Sequence, residues 1–523
     1  MHNLLNDALL GILAPEGPSL VTLPGLLGRL SKGEVMAYTG LRPHQEDPWR
    51  VFLVQLAASI LARFPRESPP TEENYWREGL LDLSGGQTSA WELVVEDVTK
   101  PAFLQHPWKS KEEIKDFKPK DPKATTPDEL DVLVTAKNHD VKASRIRDDQ
   151  TEAWIYALLC YQTLSGFLGA GNYGIIRMNG GHASRPIISL ASSLAPSVRF
   201  QEEVNIVRQM RTSILNGGFG YRPKGVVLTW LQPWDRTGHQ YTLSQLEPFF
   251  IEAARPLRMV HAGDGSLRAL GATSKARQIG PKSLDNGDVG DPWIPLNVGD
   301  KKKGRSALSV SNSGFPPKLL TSLIFEQDYE LTLLQKPRPG SGPAWFVATV
   351  LARGQGKTEG FHSAVIPIPE KARLKLLSEN TRQGLGAFGQ ALLKDAATVQ
   401  SALGSALMAL VEGGPEKTDY GKGTAKAWSS AVAENFSRLW EDRYFPFLWR
   451  RADEEEDSLQ TAWQKELAES AFQVLHNSAA ALPIPSSRRY RALVRARGFL
   501  AGILRKKEIL PKSPHPETME EAE

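Results

Sequence analysis

The sequence predicts an α+β protein, a large mixed α/β amino-terminal domain followed by a carboxy-terminal four-helix bundle. Three observations predict it. Up to residue 365, Gly and Pro punctuate the chain, and short β-type runs such as GVVLTW (225–230) and WFVATVL (345–351) alternate with helical stretches. Beyond that point apolar residues recur at steps of three and four over long spans, and prolines are confined to a few breaks. The chain has 523 residues, 41% of them hydrophobic, with 13 Trp and 19 Phe, enough core for more than one domain and too much for wholesale disorder. The expected division is 1–365 for the mixed domain, 366–510 for the bundle and 511–523 for a disordered acidic tail.

In the bundle, Leu385, Phe388, Leu392, Ala396, Val399, Leu403, Leu407 and Leu410 form one apolar stripe, stopped by Gly413, Gly414 and Pro415. A second stripe runs through Ala425, Trp428, Val432, Phe436 and Leu439. A third, after the acidic run 454–457, carries Trp463, Leu467, Ala471 and Val474. Pro483 and Pro485 precede a last helix beginning near Ser486. In the mixed domain, residues 109–123 are so densely charged that they read as a solvated loop. Residues 151–168 read as a buried helix with Thr151 as N-cap and Glu152 in its first turn, and 280–305 read as loop.

Charge and cysteine narrow the function classes. The 63 basic and 59 acidic residues leave a net charge of +4, too little for a polycation, so a nucleic-acid surface requires local segregation of charge. Cys160 is the only cysteine, which excludes an internal disulfide and a thiolate-rich zinc site. The amino terminus has no cation before its apolar stretch and carries Asp7, a poor signal peptide, and no apolar run approaches a membrane span. A cytoplasmic protein without membrane partner, metal or cofactor is expected.

Five segments carry candidate chemistry. Residues 136–147 hold Lys137, Lys142, Arg145 and Arg147 against Asp140, a cationic loop suited to phosphates. Residues 166–181 contain six glycines. Gly169, Gly171 and Gly174 spell GxGxxG, but they follow a helix instead of a strand, the wrong setting for a dinucleotide fingerprint. Such a loop lets backbone approach a ligand closely, with Asn172, Tyr173 and Arg177 adding hydrogen bonding, stacking and charge. Residues 268–282 read as a loop bearing Arg268, Lys275, Arg277 and Lys282 without an acid. Residues 352–358 read as the turn region of a β-hairpin whose tip is 353–357, with Gln355 between glycines and Arg353 and Lys357 on the flanks. The last helix carries Arg488, Arg489, Arg491, Arg495, Arg497, Arg505, Lys506 and Lys507 and no acid from 485 to 507. Taken singly, the two basic loops also read as solvated surface, the glycine run as an ordinary series of tight turns, the hairpin tip as a plain turn and the last helix as a bundle coated with arginine. Catalytic signatures are sparse: there is no GxSxG or HExxH, and the ten His are scattered.

The order of segments is more specific than any one of them. NLL at 3–5, a helix over 42–63 after a proline turn, PAFLQ at 101–105 and TPDEL at 126–130 precede the basic loop. A helix, the glycine stretch, Gly180, Gly181 and Pro186, WLQPWD at 230–235, the hairpin and the bundle follow. This resembles the large subunit (CasA family) of the type I-E CRISPR surveillance complex Cascade. The resemblance implies a non-catalytic ribonucleoprotein subunit that binds the 5′ handle of the guide RNA and other Cascade subunits. It further implies that the subunit reads the flanking motif (PAM) of double-stranded target DNA in the minor groove, helps start unwinding and R-loop formation, and recruits a helicase-nuclease for antiviral defence. By position, the PAM-reading loop falls on Gly169, Gly171, Asn172 and Tyr173, with Asn172 and Tyr173 interrupting the family's glycine run. The groove-entering cation falls on Lys275, with Arg277 as the alternative. The wedge falls on Gln355 between Arg353 and Lys357. The guide-handle and subunit loop falls on Lys137, Asn138, His139, Lys142, Arg145 and Arg147. Separately from the resemblance, the acid-free charge of the last helix assigns DNA-backbone contacts to Arg488, Arg489, Arg491, Arg495 and Arg497. The competing readings are a metal-dependent nuclease using His139, Asp140 and His182, or a pure assembly scaffold.

Overall fold

Helix-forming runs opened by proline or closed by glycine account for much of the architecture. In the computed structural model, residues 2–119, 126–131, 150–180, 185–263, 265–300, 304–354, 357–419, 423–481 and 486–511 are described. The α-helices are α1 (Leu23–Lys32), α2 (Pro43–Arg63), α3 (Glu73–Leu83), α4 (Pro127–Leu130), α5 (Thr151–Leu164), α6 (Pro196–Asn216), α7 (Pro317–Ile324), α8 (Glu370–Leu377), α9 (Glu379–Glu412), α10 (Gly423–Trp449), α11 (Glu456–Ala480) and α12 (Ser486–Lys506). Prolines stand in the first turn of α1, α2, α4, α6 and α7, where a missing N–H costs nothing. Among the described residues no helix is long and apolar enough to cross a membrane.

The chain divides into two compact units. The first comprises Met1–Phe315, Asp328–Pro337 and Gly342–Pro367, the second Pro316–Gln327, Arg338–Ser341 and Ile368–Glu523. Strands of the first unit form small sheets of two or three among the described residues, not one continuous sheet. The buried helix α2 packs on α3, α5, α6 and the strand Leu246–Ile251. Its own Trp49 shares the core with fully buried Trp76, Trp91, Trp230 and Trp293. One sheet orders Lys357–Ile368, Ala344–Gly354 and Ile187–Ala191, and Trp345 to Thr349 pair antiparallel with Ala191 to Ile187.

Asp47 and Arg50 of α2 meet Arg199 and Glu203 of α6 in a buried ion cluster. Arg50 reaches Asp47 at 2.8 Å and also binds Glu203, while Arg199 lies 3.3 Å from Asp47. The Thr349 hydroxyl donates to Asp47 at 2.7 Å and the Trp293 indole to Glu203 at 3.0 Å. Burial raises the Asp47 pKa, but Arg50 and Arg199 outweigh it and hold the carboxyl at about 2.

In the second unit α9 is the axis, touching α7, α8, α10, α11 and α12. The stripe from Leu385 to Leu410 is buried throughout. The Trp463 indole donates to the Leu392 carbonyl at 3.0 Å, and the Tyr444 hydroxyl to the Gly389 carbonyl at 3.0 Å. A Cβ on Gly389 would lie 2.8 Å from that hydroxyl, so glycine is what admits the tyrosine.

Several local expectations are corrected. On α10 the buried face is Ala425, Ser429, Ala433, Phe436 and Trp440, whereas Leu439 is 45% exposed and Trp428 and Val432 are not buried with them. Small Ser429 and Ala433 set this face because they admit a neighbouring helix closely, which a count of large apolar residues overlooks. On α11 Leu475 is buried and Val474 only half so. Helix α5 ends at Leu164, short of the expected 168, because Ser165 turns extended. Its N-cap is Gln150, not Thr151, and Glu152 is buried, accepting from the Gly11 N–H and the Tyr156 hydroxyl at 2.6 Å each. The charged stretch 109–123 is not all loop. Phe117 packs against Trp108 with ring centroids 4.6 Å apart, and Lys118–Pro119 pairs with Leu267–Gly271. Within 280–305, a 3-10 turn (Lys282–Asn286) and a short strand (Leu296–Asn297) replace continuous loop. The helices α7 and α8 of the second unit had no counterpart in the periodicity. The 511–523 tail lies outside the described residues beyond Pro511.

Asp47→Ala strands two guanidinium groups beside one carboxylate and is expected to cost about 3–5 kcal/mol, read as a lowered unfolding midpoint in urea. Because the folded Asp47 pKa lies below the ordinary 3.8, its contribution of about 2 kcal/mol is complete above about pH 5 and is lost progressively as pH falls through 2. The wild type should show that acid loss and the variant should lack it.

Candidate nucleic-acid interface

The glycine run begins where α5 stops, and backbone contacts shape it into a closed loop. The Ile175 N–H donates to the Ser165 carbonyl at 3.0 Å, so the two ends of the loop cross. Gly174 makes the crossing possible, since a Cβ there would lie 2.6 Å from the Gly166 carbonyl carbon. Within the loop Leu168 donates to the Asn172 carbonyl at 2.9 Å and Asn172 to the Gly169 carbonyl at 3.0 Å. Arg255, buried, donates to the Gly166 and Tyr173 carbonyls from below. Gln162 in turn accepts from the Arg255 N–H at 2.7 Å and donates to its carbonyl at 3.0 Å. Gly169, Gly171, Asn172 and Tyr173 are left half-exposed on this support, and the rings of Tyr173 and Phe167 lie 5.7 Å apart.

The segment bearing Lys275 docks directly against this loop. Ser274 N–H donates to the Gly171 carbonyl at 2.9 Å, and Lys275 N–H to the Arg236 carbonyl at 2.7 Å. Arg236 is itself held by Asp116 at 2.8 Å and Glu113 at 3.5 Å. His239 Nδ1 lies 2.9 Å from the Arg277 carbonyl and therefore donates to it. Beyond Arg277, buried Gln278 donates to Thr229 and Gln240 at 2.9 Å each. The Lys275 side chain is exposed, whereas Arg277 is half-buried. Two segments far apart in the chain thus form one cleft of about 480 Å³, lined by Phe167, Tyr173, Met178, His239, Lys275 and Arg277.

Other expected site residues are placed differently. Arg177 is no surface charge. It is buried, lies 3.4 Å from Asp291 and donates to the Pro248 and Phe250 carbonyls at 3.0 Å each. Arg268 belongs to the strand Leu267–Gly271, paired with Val260, and not to a loop. Arg353 and Lys357 lie in the hairpin strands Ala344–Gly354 and Lys357–Ile368, so the connection is shorter than the sequence suggested. Gln355 lies outside the described residues, as do Lys137, Asn138, His139, Asp140, Lys142, Arg145, Arg147 and His182. Past the last pair, Thr349 with Ile187, the strand continues to Arg353, about 13 Å beyond the edge strand. On α12, Arg488, Arg491 and Arg497 are exposed and Arg489 is half-buried. Arg495 lies 3.6 Å from Glu416, and Arg497 sits 5.8 Å over the Phe472 ring. Among the described residues no group of three or more His, Cys, Asp or Glu is placed to hold a metal.

Phe167, Arg236, His239 and Arg255 escaped the sequence reading. Arg255 in particular had no signal, because a lone arginine next to proline looks like any other. Gly171 has φ +85°, and a Cβ there would lie 2.8 Å from Thr273 Cβ. Gly171→Ala is expected to cost about 1–3 kcal/mol locally, read as hydrogen exchange at the Asn172 and Ser274 amides faster by roughly tenfold or more.

No family model matches the chain, and no curated protein is similar to it in sequence. Solved structures are similar over nearly the full length. The CRISPR-associated protein Cse1 from Acidimicrobium ferrooxidans is 15% identical with a TM-score of 0.65, covering 98% of this chain and 99% of that one. CasA from Thermus thermophilus is 14% identical with a TM-score of 0.63, covering 96% and 99%. A chain of a CRISPR RNA-guided surveillance complex is 13% identical with a TM-score of 0.58, covering 95% and 99%. The architecture built from these helices, small sheets and loops is therefore the fold of the CRISPR-associated Cse1 and CasA structures.

Proposed function

We propose that this chain is the large, non-catalytic subunit of a type I-E CRISPR Cascade complex. In this reading it binds the guide RNA handle and the other subunits in the cytoplasm, reads the motif flanking a double-stranded DNA target, and helps open the duplex. It then recruits the helicase-nuclease in trans. The observation that carries the proposal is the joining of the glycine loop to the Lys275 segment through the Ser274–Gly171 bond, within a fold shared end to end with Cse1 structures.

Physical chemistry supports the assignment. The minor groove is narrow and offers a degenerate hydrogen-bond pattern, so a reader needs close backbone approach and few side chains. A half-exposed glycine loop with an exposed lysine beside it meets both needs. The hairpin ending near Gln355 supplies the wedge. Unstacking one base step costs a few kcal/mol, which cationic contacts to the phosphates offset. The α12 arginines, with residues 136–147 on the guide side, are assigned that part. Sequence discrimination along the target is left to base pairing with the guide.

Lys275→Ala and Gln355→Ala should each weaken duplex binding by the assembled complex about tenfold while leaving subunit assembly intact. Mobility shift and size exclusion measure the two, and normal binding by both variants rejects the site assignment. Converting Arg488 and Arg491 to Glu should flatten the slope of log affinity against log salt by about 2. An unchanged slope would make α12 a solvated face with no DNA contact.

A further inference from the structure

The cleft beside the glycine loop has a floor, walls and a rim of different chemistry. Its floor is apolar: Ile175 and Met178 are buried and cluster with Ala254 apart from the main core. Its walls carry the half-exposed rings of Phe167 and Tyr173, inclined at 50° to each other. Its rim carries Lys275 and Arg277, and among the described residues that line it there is no carboxylate. At about 480 Å³ it falls within the range of cavities that enclose small ligands. A groove contact by Lys275 and the glycine backbone needs only a surface, and leaves this volume unused.

We propose that the cleft receives one unstacked nucleobase of the target DNA, with the adjoining phosphate at Lys275 and Arg277. The inference rests on the DNA-reading function proposed above and adds an occupant that function does not require. A flat aromatic ligand with an anionic neighbour matches an apolar slot with aromatic walls and a cationic rim. Stacking on protein rings is tolerant of sequence, because every base presents a π-face. A base displaced beside the wedge loses its neighbours in the duplex. Stacking in the slot would hold it out and slow reannealing of the step just opened.

The test uses the assembled complex and target duplexes carrying a single abasic site at successive positions next to the flanking motif. Phe167→Leu keeps apolar volume but removes the ring, and Phe167→Tyr keeps the ring. On intact duplex Phe167→Leu should bind about tenfold more weakly than wild type, and Phe167→Tyr should bind like it. At one position the abasic substitution should erase the difference between wild type and Phe167→Leu, the signature of coupling between that ring and that base. Equal binding by Phe167→Leu, or the same loss at every abasic position, overturns the inference. Wild-type preference for the cognate over a scrambled flanking motif tests the underlying function separately. If that preference holds and the coupling is absent, only the base-binding slot falls; if the preference is missing, the DNA-reading function falls with it.

Discussion

The buried contact among Asp47, Arg50, Arg199 and Glu203 constrains the first unit more than any apolar patch does. Removing charges from water costs several kcal/mol per ion, recovered only when every charge meets its partner at close range. Here that requires α2 and α6 to lie in one relative position. It also requires Thr349 to reach Asp47 and Trp293 to reach Glu203. Apolar surfaces tolerate sliding by a fraction of a turn, and this cluster does not. Since Thr349 sits on the hairpin strand at the last residue paired with the edge strand, the same cluster anchors the base from which the hairpin projects.

Buried guanidinium groups serve the loops in the same way. Arg255 holds two carbonyls of the glycine loop, Arg258 donates to the Lys100 and Val95 carbonyls, and Arg177 to those of Pro248 and Phe250. An irregular segment has carbonyls that no helix or strand partner satisfies, and a planar group with five donors can serve several at once. The glycine loop is thereby presented on a firm base, as the close backbone approach proposed for it requires. These arginines count toward the net charge but contribute nothing to the outer surface, so the overall sum of +4 says little about where an anionic partner would bind.

The second unit follows simpler rules. A stripe of apolar residues along α9, ended by Gly413 in the left-handed conformation, needs only helical periodicity to be recognised, and every member of it is buried. Its neighbour α10 shows where that logic weakens. Close packing selects small residues at the contact, so Ser429 and Ala433 face inward and Leu439 outward. Size and polarity along one chain do not encode that choice, which depends on how near the facing helix lies.

By itself the sequence determined the α+β class, the long amphipathic helices, the hairpin strands, and the glycine and lysine segments as separate candidates. Each of these rests on patterns a few residues long, in the reach of backbone geometry and local periodicity. Only the tertiary structure decided that Gly171 and Ser274 share a hydrogen bond, that Arg255 holds the glycine loop from beneath, and that Arg177 is buried while Lys275 is exposed. Those outcomes depend on which surfaces fold onto which across long stretches of chain. The free energy of burying a charge or a carbonyl is set by that encounter and not by its neighbours along the chain.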